Sequence, residues 1–172
     1  MEATVDRIPE EREKITPFRT ACAFWSCGTC SESMMYVLNR AMGQPLPAEE
    51  RGAMPLAGGI LQQGYQCGML WGATLAAGAR AHALYGDGPR AEAAAVHAGQ
   101  RLVEAFRERN QTLDCLEITD TDWTKKSQML LNFLRGGPIA CTAMAMRYAP
   151  AALEQIEEAL ASPPPWSRTA RR

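Results

Sequence analysis

The sequence predicts an all-α fold, a single-domain bundle of about five to seven helices around a central Gly/Ala-rich helix. Apolar residues recur every three to four positions in several segments, which is the spacing of one helix face. No stretch of useful length alternates apolar and polar residues as a half-buried strand does. A chain of 172 residues is long enough for one domain with a substantial core.

Composition and charge exclude several functional classes. The net charge of -1 provides no basic surface for nucleic acid or for an anionic membrane. The longest uncharged apolar run, 67–79, is shorter than the ~20 residues that a membrane-spanning helix needs. The charged N-terminus lacks the apolar core of a secretory signal. We therefore expect a cytoplasmic protein without membrane insertion and without nucleic-acid binding.

The chain divides into a flexible leader, 1–17, a helical cysteine-rich domain, 18–161, and a disordered tail, 162–172, rich in proline and arginine. In the domain, a capping box of Thr29 and Glu32 predicts a helix that ends before Gly43. A short turn at 47–50 and the central helix, which ends near Tyr85, are predicted next. Three further helices are predicted at 89–110, 115–118 and 126–134, the last with Met129, Leu130 and Phe133 pointing inward. Pro138 opens another helix, and Pro150 separates that helix from a final one at 151–161.

A stripe of small residues runs along the central helix. Gly68, Gly72 and Ala76 are spaced four apart and share one face. Each interior glycine costs about 1 kcal/mol of helix stability relative to alanine, so a compensating contact is expected. Either another helix backbone packs closely on the stripe, or Gly68 clears space beside Cys67 for a metal cluster or a second thiol.

Six cysteines carry most of the candidate chemistry, and in a reducing cytoplasm a static disulfide framework is not expected. Four of them, Cys30, Cys67, Cys115 and Cys141, fall in the first turn of a predicted helix. Unpaired N–H groups and the positive end of the helix dipole favour a thiolate there. If the fold gathers these four thiolates, they form a site for a soft metal or an iron–sulfur cluster, although inert burial of cysteine is the simpler alternative.

The cysteine-containing segments also follow a recognisable order. These segments are 28–33, 58–59, 67–73, 113–117 and Cys141. They resemble a family of redox-active proteins named for four spaced cysteines and a Cys-Gly-Ala-x-x-Gly motif, although Met69 stands where the family has Ala. The resemblance spans roughly 27–158 and implies that Cys30, Cys67, Cys115 and Cys141 are redox or cluster residues. A related segment of a di-haem cytochrome favours the cluster, and no Cys-x-x-Cys-His is present for covalent haem.

Other assignments of the cysteines stay open. Cys27 and Cys30 form a Cys-x-x-Cys at a helix start, so in a thiol–disulfide oxidoreductase Cys30 would attack and Cys27 would resolve. The four family cysteines could instead hold a structural zinc ion in a partner-binding protein. The spacing from Cys22 to Cys30 matches plant-type ferredoxins, but those ligands belong to a largely β fold, and we interpret the match as coincidence.

The leading hypothesis is a cytoplasmic redox protein that holds an iron–sulfur cluster and transfers electrons. It requires a redox partner protein, which the sequence does not identify. The sequence also leaves open whether the protein is an enzyme, whether it forms a homo-oligomer, and what Cys22 and Cys27 do.

Overall fold

The computed structural model describes residues 11–162, and this part of the chain is all-α, as predicted. Its eight helices are α1 Pro17–Cys27, α2 Cys30–Ala41, α3 Pro47–Gly52, α4 Gly68–Tyr85, α5 Pro89–Asn110, α6 Cys115–Thr119, α7 Lys126–Leu134 and α8 Gly137–Ala161. A single turn of 3-10 helix, Met54–Leu56, precedes α4. Within the described range, the strand-like pairing is limited to one isolated antiparallel bridge between Gln66 and Asp114.

Four of the helices enclose the core. The predicted central helix, α4, packs against α2 and α5, while α8 packs against both α5 and α2, and α1 lies across α2 and α8. Tyr148 and Phe106 meet edge-to-face in the interior, with ring centroids 4.9 Å apart. The Tyr148 hydroxyl donates to the carbonyl oxygen of Leu102 at 3.2 Å, so this buried polar atom is satisfied.

The crossing of α2 and α4 explains part of the glycine stripe. A Cβ atom on Gly72 would overlap the carbonyl oxygen of Ser31 and lie 3.1 Å from the backbone nitrogen of Met35. Gly78, on the same helix, would meet nothing within 4 Å. At Gly72, therefore, the backbone of α2 fills the space that a side chain would take.

α1 is an element that the sequence analysis missed, because it placed the first helix at Thr29. Thr16 caps α1 by accepting a hydrogen bond from the Arg19 N–H at 3.2 Å, and Gly28 ends it with φ of 77°. The predicted leader and tail lie largely outside the described residues and stay predictions. Of the leader, residues 11–17 are described: the Glu13 N–H donates to the Arg40 carbonyl at 3.1 Å, and Pro17 begins α1.

The expected division of the last helix at Pro150 is wrong, because α8 runs unbroken from Gly137 to Ala161. A proline inside a helix removes one backbone hydrogen bond. Pro150 itself is exposed, whereas Ala149 and Ala152 beside it are completely buried in the core. Packing on both sides of the proline therefore holds the helix together.

α7 has the predicted bounds but not the predicted orientation. Leu130 and Phe133, expected to point inward, are 61% and 65% exposed, and Met129 is only partly buried. None of the residues of α7 is fully buried, and its main packing partner is α8. Periodicity identified an apolar face correctly, but it carries no information on whether another element covers that face.

Replacing Gly72 by alanine should destabilise the protein by about 1–3 kcal/mol, because the new Cβ would push α2 and α4 apart. Gly78→Ala is the matched control on the same helix. It should stabilise the protein by up to about 1 kcal/mol, since alanine is the better helix former and the space is open. Urea unfolding of both variants measures the difference, and an unchanged stability for Gly72→Ala would contradict the close contact.

Candidate functional site

Four cysteines lie at or near the starts of four different helices. Cys30 and Cys115 are the first residues of α2 and α6, and Cys67 is the N-cap of α4. Cys141 is the fifth residue of α8, just beyond the first turn in which the sequence placed it. Each of these four thiols interacts electrostatically with the other three.

A short antiparallel pairing sets Cys67 beside Cys115. The N–H of Cys67 donates to the Leu113 carbonyl at 2.8 Å, and the N–H of Cys115 donates to the Tyr65 carbonyl at 2.7 Å. These bonds flank the isolated bridge between the two segments. Because side chains alternate along an extended chain, both cysteines lie on the same side of this pairing.

Gly68 makes room for the sulfur of Cys30. A Cβ atom at Gly68 would lie 2.6 Å from Cys30 Sγ and 3.0 Å from the Leu56 carbonyl oxygen. A thiol from α2 therefore occupies the space beside the start of α4. Of the two explanations for the stripe, space for a second thiol applies at Gly68, and close backbone packing applies at Gly72.

A strained loop contacts Cys30. Five consecutive residues, 58–62, adopt left-handed backbone conformations, with φ between 51° and 71°. The non-glycine members are Ile60, Leu61 and Gln62. Each of these three costs about 1–2 kcal/mol relative to a right-handed conformation. The loop directs the N–H of Gly58 at the Cys30 sulfur, so the strain coincides with a contact to the site.

Burial dominates the acid–base chemistry of the four thiols. Burial raises the pKa of all four thiols, to about 12 for Cys115 and to about 11 for Cys141. Neighbouring N–H groups lower the pKa of Cys30, but their effect is smaller than that of burial. The expectation that helix starts hold these cysteines as thiolates is therefore wrong for the metal-free protein.

Some buried polar groups close to the cysteines, along the chain or in the fold, have no hydrogen-bond partner. Within 11–162 they include Ser31 Oγ, Trp71 Nε1 and Trp123 Nε1. Trp71 lies one helical turn after Cys67 and so on the same face of α4. The indole N–H of Trp123 faces the Cys115 thiol and lowers its pKa slightly against the effect of burial. Since buried polar groups normally find a partner, these donors fit a site completed by an additional acceptor.

Cys22 and Cys27 belong to a different part of the surface. Both line a groove that also contains Glu32 and Glu50. Burial and then the charge of Glu32 raise the pKa of Cys27 to about 11. Because the pKa of Cys30 is raised too, the Cys-x-x-Cys pair lacks the lowered pKa that an attacking thiol uses.

The site has one solvent-facing side. A groove of about 690 Å³ is bordered by Cys141 and Met144 on α8 and by Glu117 on α6. Cys141 and Cys30 are partly exposed, whereas Cys67 and Cys115 are buried. In the part of the chain described, no group of three or more His, Cys, Asp or Glu side chains has the geometry to hold a metal ion as it stands.

The matched family is described as "Putative redox-active protein (C_GCAxxG_C_C)", and the match covers residues 28–154. The chain belongs to this family. The matched range contains Cys30, Cys67, Cys115 and Cys141 and leaves Cys22 and Cys27 outside. No curated protein and no solved structure matches the chain. Among the described helices, none is long and apolar enough to cross a membrane.

Sequence reasoning missed two parts of this four-cysteine site. The left-handed loop at 58–62 had a partial indication in the pair Gly58-Gly59, because glycine adopts positive φ without steric cost. Trp123 had no local indication, because only the fold brings the polar segment before α7 to Cys115.

Ionisation of the buried thiols should be shifted upward in the reduced, metal-free protein. The ultraviolet thiolate band should develop toward pH 11–12 for Cys115 and Cys141, whereas in urea the same thiols should titrate at about pH 8.5. Because the folded pKa values are raised, this contribution to stability is present below about pH 8.5 and is lost as the pH rises toward 11–12. Identical titrations in the folded and unfolded protein would contradict the burial.

Proposed function

We propose that this protein binds an iron–sulfur cluster through Cys30, Cys67, Cys115 and Cys141 and transfers electrons to and from a redox partner protein. The observation that carries the proposal is the mutual proximity of four thiols that four separate helices supply. Cysteine thiolates are the usual protein ligands of such clusters, and a bound cluster supplies one-electron redox chemistry.

The donor set of the site suits a cluster. The main influences on the four thiols are burial, the other thiols and neighbouring N–H and O–H donors, so cationic side chains do not dominate their surroundings. A positively charged iron centre would favour deprotonation of thiols that are protonated in the metal-free protein. The missing Cβ atom of Gly68 also keeps the space beside Cys30 free of a side chain.

A cluster and a single zinc ion require different spacings of the four sulfurs. Thiolates around tetrahedral zinc have bonds of about 2.3 Å, which places their sulfurs roughly 3.8 Å apart. The four thiols interact with one another, which both kinds of site require. A cluster holds its ligand sulfurs farther apart, because each sulfur binds a different part of a larger inorganic core.

Cys141 is the proposed point at which electrons enter and leave. It combines contact with the other thiols and an edge on the solvent-facing groove. Cys67 and Cys115 are buried, and Cys30 does not border this groove, so a partner protein that docks at the groove would come closest to the cluster at Cys141.

Anaerobic purification should yield a brown protein with visible absorption and with iron and acid-labile sulfide in matched amounts.

Cys115→Ser should lose most of the iron, because it removes a buried ligand. Cys22→Ser is the matched control and should keep the chromophore, since Cys22 is exposed and lines the other groove.

Metal analysis separates the alternatives. A colourless protein that holds zinc and unfolds with a chelator would replace the cluster by a structural zinc site. A metal-free protein with a Cys27–Cys30 disulfide that cycles with a reductant would favour the thiol–disulfide oxidoreductase.

A further inference from the structure

Trp123 carries a buried hydrogen-bond donor that the protein itself does not use. Its Nε1 atom is inaccessible to solvent and has no hydrogen-bond partner in the described chain. The indole N–H faces the thiol of Cys115. A neutral thiol is a weak acceptor, so the donor is nearly unpaired in the metal-free protein. Leaving a buried donor unpaired destabilises the folded protein, which calls for an explanation.

The loop that contains Trp123 is held firmly on both sides of this residue. On one side, Asn132 of α7 donates to the hydroxyl of Thr121 at 2.8 Å. On the other, the N–H of Asp122 donates to Gln128 Oε1, also on α7, at 2.7 Å. Thr121 is itself buried, with 2% of its surface exposed. The indole is thus positioned by its neighbours and not by its own N–H.

The same hydrogen bonds give α7 a supporting role, although its apolar face is left uncovered. The Asp122 carboxylate accepts hydrogen bonds from Thr124 and forms an ion pair with Lys125 at 2.9 Å, immediately before α7 begins. α7 therefore contributes polar side chains and its first turn to the support of one loop. That loop presents a single tryptophan to the site.

We infer that Trp123 positions its indole N–H as a hydrogen-bond donor to the Cys115 sulfur of the loaded site and thereby raises the reduction potential of the cluster. This inference rests on the proposed function. A thiolate bound to iron is a much better acceptor than a neutral thiol, and the hydrogen bond strengthens as negative charge builds up on reduction. Donors to the ligand sulfurs are one of the factors that set cluster potentials.

The test compares Trp123→Phe with the wild-type protein, both purified anaerobically with their cluster. Phenylalanine keeps an aromatic ring and removes the N–H group. We expect unchanged iron and sulfide content and a reduction potential more negative than that of the wild type. Trp25→Phe is the control, because Trp25 on α1 is 55% exposed, and its potential should equal that of the wild type. An unchanged potential in Trp123→Phe, or loss of the cluster from it, would overturn the tuning role.

A second measurement examines the contact in the metal-free protein. The indole N–H resonance of Trp123, assigned by its absence in Trp123→Phe, should move in Cys115→Ala and stay in place in Cys22→Ala. A resonance that ignores Cys115→Ala would overturn the contact. Zinc in place of iron in the wild-type protein would overturn the proposed function and the tuning role together. An unchanged potential with the cluster present would overturn the tuning role alone.

Discussion

The backbone contact between α2 and α4 is the constraint on which the site depends. At Gly72 the two helices touch through the Ser31 carbonyl, which is possible only without a side chain. One turn earlier on α4, the same approach brings the Cys30 sulfur into the space beside Gly68. The two glycines lower the helical stability of α4. Because they have no side chains, however, a thiol from α2 can lie beside the N-cap cysteine of α4.

The remaining cysteines reach the same place by different means. The short pairing of 64–67 with 113–116 fixes Cys115 relative to Cys67 through backbone hydrogen bonds, so their arrangement does not rely on side-chain packing alone. Cys141 arrives on α8, which crosses the bundle between α5 and α2. Three kinds of contact thus converge: a helix crossing, a backbone bridge and a long helix buried along one face.

The protonated thiols and the N–H donors around them are consistent with a site that binds an additional group. Burial keeps the thiols protonated, so the metal-free protein avoids four negative charges in a small volume. Two segments without regular structure supply N–H donors there, the left-handed loop at Gly58 and the braced loop at Trp123. One is strained and the other leaves a donor unpaired, and local costs of this kind are typical of functional sites.

The sequence by itself determined the fold class, most helix bounds and the four cysteines at or near helix starts, because periodicity, prolines, glycines and family spacing are local properties of the chain. It also indicated that Gly68 and Gly72 needed a reason, but not which neighbour each one served. Only the tertiary structure decided that Phe133 is exposed, that α8 continues through Pro150, and that Trp123 faces Cys115. Each of these depends on which element packs on which, and that choice is made by contacts between residues far apart in the chain.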